Sequence, residues 1–240
     1  METMGMERTK DTTQAYDIKS DAKRVFDCVR DGGVAIARYD VGYAILCATD
    51  DALRRVYTAK QRSYEKASAI VACPEMAEAV HVLPPEKKQI IRSITVDHKL
   101  PLSVVAPFRD DDPFMRKLTP FLFSIGTREG TVSCLHNAGE MRDEIGRHCW
   151  QQKVPFLASS ANRSMQGAKY DVKNIEPEVL AIADIVIDHG PCKYNKFKNV
   201  SASQIDFRTM TLLRKGHCFD EIEMILKNEF DIVLKPKLHS

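Results

Sequence analysis

Pro155-Phe-Leu-Ala-Ser-Ser-Ala-Asn162 is the stretch whose reading decides the fold. A proline opens a short apolar run, too short for a helix, so residues 155–159 read as a buried strand. The run then turns to small hydroxyl residues and an amide. In an α/β sheet, ligands sit at the carboxyl ends of strands, and hydroxyls with an amide can bond phosphate oxygens or a base edge. Taken alone, the same string also reads as an Asx- or Ser-type turn closing a strand.

Working outward, residues 138–151 carry a helical pattern, so helix precedes strand. Upstream lie an expected strand over 123–128, a helix over 112–121, a strand over 102–107, short helices over 74–82 and 85–93, and a strand over 67–72. Asp50 is a candidate N-cap for a helix reaching residue 62, with Leu53, Val56 and Tyr57 on its apolar face. Residues 33–38 and 43–48 read as a hairpin. A helix over 20–31 stops at Gly32-Gly33. Downstream come a short helix over 177–183, strands over 185–188, 201–207 and 210–214, and a helix over 219–227 before a basic tail. Interleaved helices with hairpin-length turns predict a twisted mixed α/β sheet rather than a strictly parallel one. The longest irregular stretches, 162–174 and 190–200, are candidate binding loops. The division expected is an arm over 1–20, one domain over 21–217, and a C-terminal helix and tail over 218–240.

The 240 residues are 44% hydrophobic and 28% charged, which suits a globular chain with a sizeable core. A formal net charge of +2 carries no strong overall bias toward nucleic acid or membrane, though basic residues can gather in one groove. No apolar run spans a bilayer and residues 1–21 lack a secretory core, so a cytoplasmic protein without membrane contact is expected. Seven scattered cysteines form no C-x-x-C pair and read as free thiols in a reducing compartment. No phosphate-binding G-x-x-x-x-G-K-[ST], no G-x-G-x-x-G and no G-x-S-x-G occurs. The histidines have no metal-ligand spacing, and no metal site in the protein is expected.

Three further stretches carry chemistry. Lys60-Gln-Arg62 with Lys66 ends the helix begun at Asp50. Such clustered cations suit a polyanion, and equally a solvated helix end that complements the helix dipole. Asp188-His-Gly-Pro-Cys192 is a turn followed by lysines that are most simply solvated. Leu213-Arg-Lys-Gly216 ends a strand in an arginine that can face a bound anion or plain solvent.

Taken in order, these pieces resemble the YrdC-like family of threonylcarbamoyl-adenylate synthases. Lys60-Gln-Arg62-Ser63 with Lys66 looks like the family's K-x-R-P-x-x-K, with serine for proline. Ser159-Ser-Ala-Asn162 looks like T-S-A-N, with Ser164 at a further matching position. Ile125-Gly-Thr-Arg128 is similar to V-G-V-R, Asp188-His-Gly-Pro-Cys192 to D-G-G-P-C, and Leu213-Arg-Lys-Gly216 to L-R-x-G. The resemblance runs from about residue 31 to residue 216. It implies a single concave α/β domain with a basic pocket. It implies a cytoplasmic nucleotidyltransferase of tRNA modification that joins ATP, bicarbonate and threonine as a carbamoyl-adenylate and releases pyrophosphate, with Mg2+ on the triphosphate. On that pattern Lys60 and Arg62 are catalytic. Lys66, Arg128, Ser159, Ser160, Asn162, Ser164 and Arg214 bind nucleotide, and Asp40 and Tyr43 bind the amino acid.

The early P-T-D-T-V-Y-G-L segment is here Arg38-Tyr-Asp-Val-Gly-Tyr-Ala-Ile45, closer to the YciO branch, and S-T-V-V-D is here Ala202-Ser-Gln-Ile-Asp206. Tyr39 and Val41 replace hydroxyl residues, so a rebuilt pocket is expected, in which threonine is a poor substrate and Arg38 at the mouth favours a more acidic acceptor. The alternatives are a paralogue acting on another amine or amino acid, and a non-catalytic RNA-binding module using the same basic surface.

Overall fold

The computed structural model describes residues 16–196 and 200–236. The first fifteen residues of the expected arm, the lysine at position 198 and the last four residues of the basic tail lie outside them. Eight α-helices are present among the described residues: α1 (Ile18–Arg30), α2 (Asp50–Ala59), α3 (Pro74–Val80), α4 (Pro85–Arg92), α5 (Pro120–Gly126), α6 (Glu140–Gln152), α7 (Pro177–Leu180) and α8 (Phe219–Phe230). The strands are β1 (Ala35–Tyr39), β2 (Gly42–Cys47), β3 (Ala69–Ile70), β4 (Leu102–Pro107), β5 (Thr127–Arg128), β6 (Thr131–His136), β7 (Leu157–Ser160), β8 (Ile185–Ile187), β9 (Ser203–Asp206), β10 (Thr211–Arg214) and β11 (Lys235–Pro236).

They form one mixed sheet in the order β11-β10-β9-β4-β6-β3-β7-β2-β1-β8, with β5 paired to β6. β1 and β2 are the expected hairpin, antiparallel from Ala35 opposite Leu46 to Tyr39 opposite Gly42. β4 runs antiparallel to β6 and parallel to β9. β3 is only two residues long, so between β6 and β7 the sheet is bridged over a short stretch.

Side-chain alternation divides the molecule. Leu102, Val104 and Ala106 of β4, with Ile205 and Phe207, pack in one core with Ile222 and Leu226 of α8 and Ile90 of α4. A second core holds Val25 and Phe26 of α1, Leu53 and Val56 of α2, and Ile145 and Cys149 of α6. The alternate residues of β4, Ser103 and Val105, face the other way, into a cavity.

Three expected elements differ. The helix after Thr49 ends at Ala59, not at residue 62, and Thr49 rather than Asp50 is its N-cap, its side chain accepting from the Ala52 amide. Gln61 then takes a left-handed backbone, φ 49°, which turns Arg62 out of the helix. The helix expected over 112–121 and the strand over 123–128 are replaced by a 3-10 turn at Met115–Lys117, by α5, and by β5. Pro120 is the cause. It forces extended backbone on Thr119 and opens a new helix, which Thr119 caps by accepting from the Leu122 amide. Central strand β6 has no counterpart among the expected elements. It begins immediately after a tight turn in which Glu129 and Gly130 both have positive φ.

Candidate functional site

The cavity encloses about 680 Å³ and lies against the sheet. Six cations line it, Arg62, Lys66, Arg128, Arg142, Arg208 and Arg214, against two carboxylates, Glu129 and Asp206.

Local structure aims these cations. After α2, the turn at Gln61 brings Arg62 over the ring of Tyr57, 5.5 Å from its centroid, with Nη2 donating to the Ala67 carbonyl at 2.7 Å. Arg62 Nε is buried with no partner. Arg214 leaves β10 and donates from Nε and Nη2 to the Ala202 carbonyl at 3.0 and 2.9 Å. Its pKa is lowered, first by burial and then by the Arg62 charge, so two cations far apart in sequence meet at one place. Arg128 donates to the Glu65 carbonyl. Lys66 Nζ reaches Ser164 Oγ at 3.3 Å. These bonds hold the cations by backbone and hydroxyl oxygens, which leaves their charge unneutralised.

Of the residues singled out in sequence, Arg62, Lys66, Arg128, Ser159, Ser160, Arg214 and Tyr43 line the cavity together. Lys60, Asn162, Ser164 and Asp40 are not among its lining residues. Lys60 is 1% exposed and donates to the carbonyls of Ser160 and, at 2.8 Å, Asn162. It holds the hydroxyl-bearing turn in shape from behind. Burial, with the Arg62 charge second, pulls its pKa down to about 7. Asn162 is buried, its amide donating to the Arg163 carbonyl and its Oδ1 left without a partner. Ser164 is tied to Lys60 by backbone at 2.8 Å. Asp40 is pinned by its amide donating to the Ala138 carbonyl at 2.7 Å and its carbonyl accepting from the Tyr194 amide at 3.1 Å. The Tyr43 hydroxyl lies 2.9 Å from Asp188 Oδ1 and 2.8 Å from the Gly190 carbonyl, tying β2 to the D-H-G-P-C turn. Arg38 does not line the cavity, and donates instead to the Pro191 carbonyl at 3.0 Å.

The sheet floor was missed in sequence. Gln204 Nε2 donates to Ser103 Oγ and Ser133 Oγ, both at 3.1 Å, and the two serines are themselves 3.1 Å apart. The readable signal is a serine alternating with apolar neighbours, Ser103 between Leu102 and Val104 in β4 and Ser133 between Val132 and Cys134 in β6. Arg208 forms an ion pair with Asp206 at 2.8 Å, so that carboxylate is already occupied. Among the described residues, no group of three His, Cys, Asp or Glu side chains is placed to hold a metal.

The family model for Sua5, YciO and YrdC, described as telomere recombination, matches residues 27–216. The chain belongs to this family. Among solved structures, P. abyssi Sua5 complexed with L-threonine superposes with a TM-score of 0.69 at 18% identity, covering 91% of this chain and 59% of that one. The chain therefore spans well under two thirds of the length of that Sua5. E. coli YciO matches with a TM-score of 0.62 at 14% identity, over 83% of this chain and 90% of its own. Full-length HypF in a phosphate- and nucleotide-bound form matches with a TM-score of 0.57 at 16% identity, over 81% of this chain and 28% of that one. No curated protein matches in sequence. Membership in the Sua5/YciO/YrdC family accords with the single mixed α/β domain described above. No helix among the described residues is long and apolar enough to cross a membrane.

Proposed function

We propose that the cavity binds ATP and that the protein joins a carbamate to its adenylyl group. The observation that carries this reading is the excess of cations, six against two carboxylates, in a cavity large enough for a nucleotide. A triphosphate is the small-molecule anion that best matches several cations held apart. Family membership and the likeness to a nucleotide-bound HypF support the same reading.

In this scheme an amine and bicarbonate condense to a carbamate with loss of water. A carbamate oxygen attacks the α-phosphorus, the α–β bridging P–O bond breaks, and pyrophosphate leaves. The protein positions the reactants and neutralises charge. Arg62 and Arg214 face the transferred phosphate, Lys66 and Arg128 the outer phosphates, and the Ser159 and Ser160 hydroxyls orient the nucleotide. Lys60 positions the Ser160–Asn162 turn. With Asp206 held by Arg208, a Mg2+ arriving with the nucleotide would shield the triphosphate without a dedicated carboxylate from that residue.

Threonine is a poor acceptor in this pocket. Tyr39 and Val41 are both buried in the cavity wall, and an apolar wall at position 41 cannot bond the substrate hydroxyl. The test is pyrophosphate release with ATP, bicarbonate and a panel of amino acids. ATP-dependent release that varies with the amine supports the reading. Absence of release across the panel, with no ATP binding by calorimetry, sinks it. Parent turnover of threonine equal to that of the Tyr39→Thr, Val41→Thr double variant removes the pocket argument alone.

A further inference from the structure

Among the described residues Arg142 is the largest fully buried side chain, and it sits in α6 among apolar residues. Its side chain is 2% exposed, and its one ion pair, from Nη1 to Asp143, goes to a carboxylate that is 25% exposed. Nη2 is buried with no hydrogen-bond partner. A buried guanidinium half paired in this way costs stability and is kept only where something repays it. The Tyr39 hydroxyl, on the strand β1 that packs against α6, is also buried and also without a partner. Both residues line the cavity, next to Val41, Val71 and Leu135.

These two donors sit on α6 and β1, which pack together, whereas Arg62 follows α2 and Arg214 ends β10. The Arg142 charge acts on Tyr39, Cys73, Cys134 and His136. The Arg62 charge acts on Lys60 and Arg214. Around Arg142 the thiols of Cys73 and Cys134 are held protonated by burial, and burial keeps His136 neutral. Among the described residues, the ion pair found for the guanidinium is the one to Asp143. A planar guanidinium and a phenol, each with a spare N–H or O–H buried in the cavity wall, complement one carboxylate.

We propose that the inner end of the cavity is a carboxylate subsite built by Arg142 and Tyr39, and that the acceptor is an acidic amino acid. The substrate half of this statement rests on the carbamate-activation reading above, while the subsite itself does not. The α-amine becomes the carbamate near Arg62, and the side-chain carboxylate enters between Val41 and Leu135 to meet the two unpaired donors.

The experiment is calorimetry of the full chain with L-aspartate and L-glutamate against L-asparagine and L-glutamine, each alone and with a non-hydrolysable ATP analogue. At least one acid is expected to bind tenfold or more tightly than its amide. Tyr39→Phe and Arg142→Met are each expected to erase that preference without lowering the melting temperature, because Tyr39 Oη and Arg142 Nη2 have no acceptor in the empty fold and the Nη1 pair goes to a quarter-exposed carboxylate. Acids that bind no better than their amides overturn the proposal, as does a preference that survives both substitutions. A marked fall in the melting temperature of Arg142→Met also overturns it, since the cation would then be holding the fold. Acid preference in a parent chain that binds no ATP analogue leaves the subsite standing and removes the nucleotide reading.

Discussion

Lys60 and Arg62 are two residues apart and do different work. Arg62 presents charge to the cavity, whereas Lys60 turns away and donates to the carbonyls of Ser160 and Asn162. Their substitutions should separate accordingly. On the proposed ATP reading, Arg62→Ala and Arg214→Ala should each remove a charge-assisted bond to phosphate, about 1.5–3 kcal/mol, or roughly ten- to a hundredfold in ATP affinity. Lys60→Met leaves two buried carbonyls unmet and should cost about 1–3 kcal/mol of stability, seen as a melting temperature several degrees lower. Calorimetry and thermal melting of all three variants check the division. Lys60→Met with parental stability and abolished ATP binding would place Lys60 in direct contact with the ligand instead.

At the scale of elements, two glycines set how closely the parts of the sheet and its helices approach. A Cβ on Gly146 of α6 would stand 2.6 Å from the Ala72 carbonyl carbon and from the Cys73 amide nitrogen. One on Gly216 would stand 2.1 Å from the Ser201 carbonyl oxygen. These are backbone atoms, so neither clash is relieved by turning a side chain. Gly146→Ala should push α6 off the turn that leads into α3, at about 1–3 kcal/mol or more, and shift the urea midpoint downward. Gly216→Ala should displace β10 relative to β9 and, with it, Arg214, weakening nucleotide binding as well as the fold. Parental urea midpoints in both variants would show that the packing has more slack than these distances allow. Element boundaries were legible where one signal ruled, as at β4, whose expected range of 102–107 matches the structure. They failed at 119–128, where an apolar run satisfied both a strand and a helix pattern and Pro120 with its Thr119 cap decided the outcome.

The whole molecule carries a stability term set by its buried histidines. Burial lowers the pKa of His81 from 6.5 to about 4. His136 is lowered as well, by burial first and then by the Arg142 and His81 charges. The unfolded chain takes up these protons at its ordinary value near 6.5, whereas in the fold His81 does so only near 4 and His136 is also held well below the ordinary value. Stability therefore falls as pH drops from about 6.5 toward 4 and levels off below that for these groups. Carboxylates held low by their partners, such as Glu176 beside Lys169, begin to add their own loss near the ordinary value of 4.5 and continue it below. Melting temperature followed between pH 7 and pH 4 should show the decline, and His81→Asn should flatten part of it. An unchanged melting temperature across that range would mean that both imidazoles accept protons within the fold.

What the sequence determined by itself was the class of fold and most of the cation set. Apolar periodicity and turn residues are local properties, and they placed strand β7 and the β1–β2 hairpin, while the arginines at positions 62, 128 and 214 were singled out as binding residues by the family resemblance. Order and spacing of short motifs carried the family, because a fold keeps its loop positions where individual residues drift. What only the tertiary structure decided was orientation. Whether Lys60 or Arg62 faces the cavity depends on one left-handed residue, Gln61. The floor of Ser103, Ser133 and Gln204 depends on β4, β6 and β9 lying side by side. Arg142 looked like any polar residue of a helix, and Arg38 looked like a cation at the mouth. Packing buried the first in the cavity wall and turned the second away to the Pro191 carbonyl. A side chain's charge is written in the sequence, but the solvent it loses and the partners it finds are set by chain segments far from it, and those decide what the charge can do.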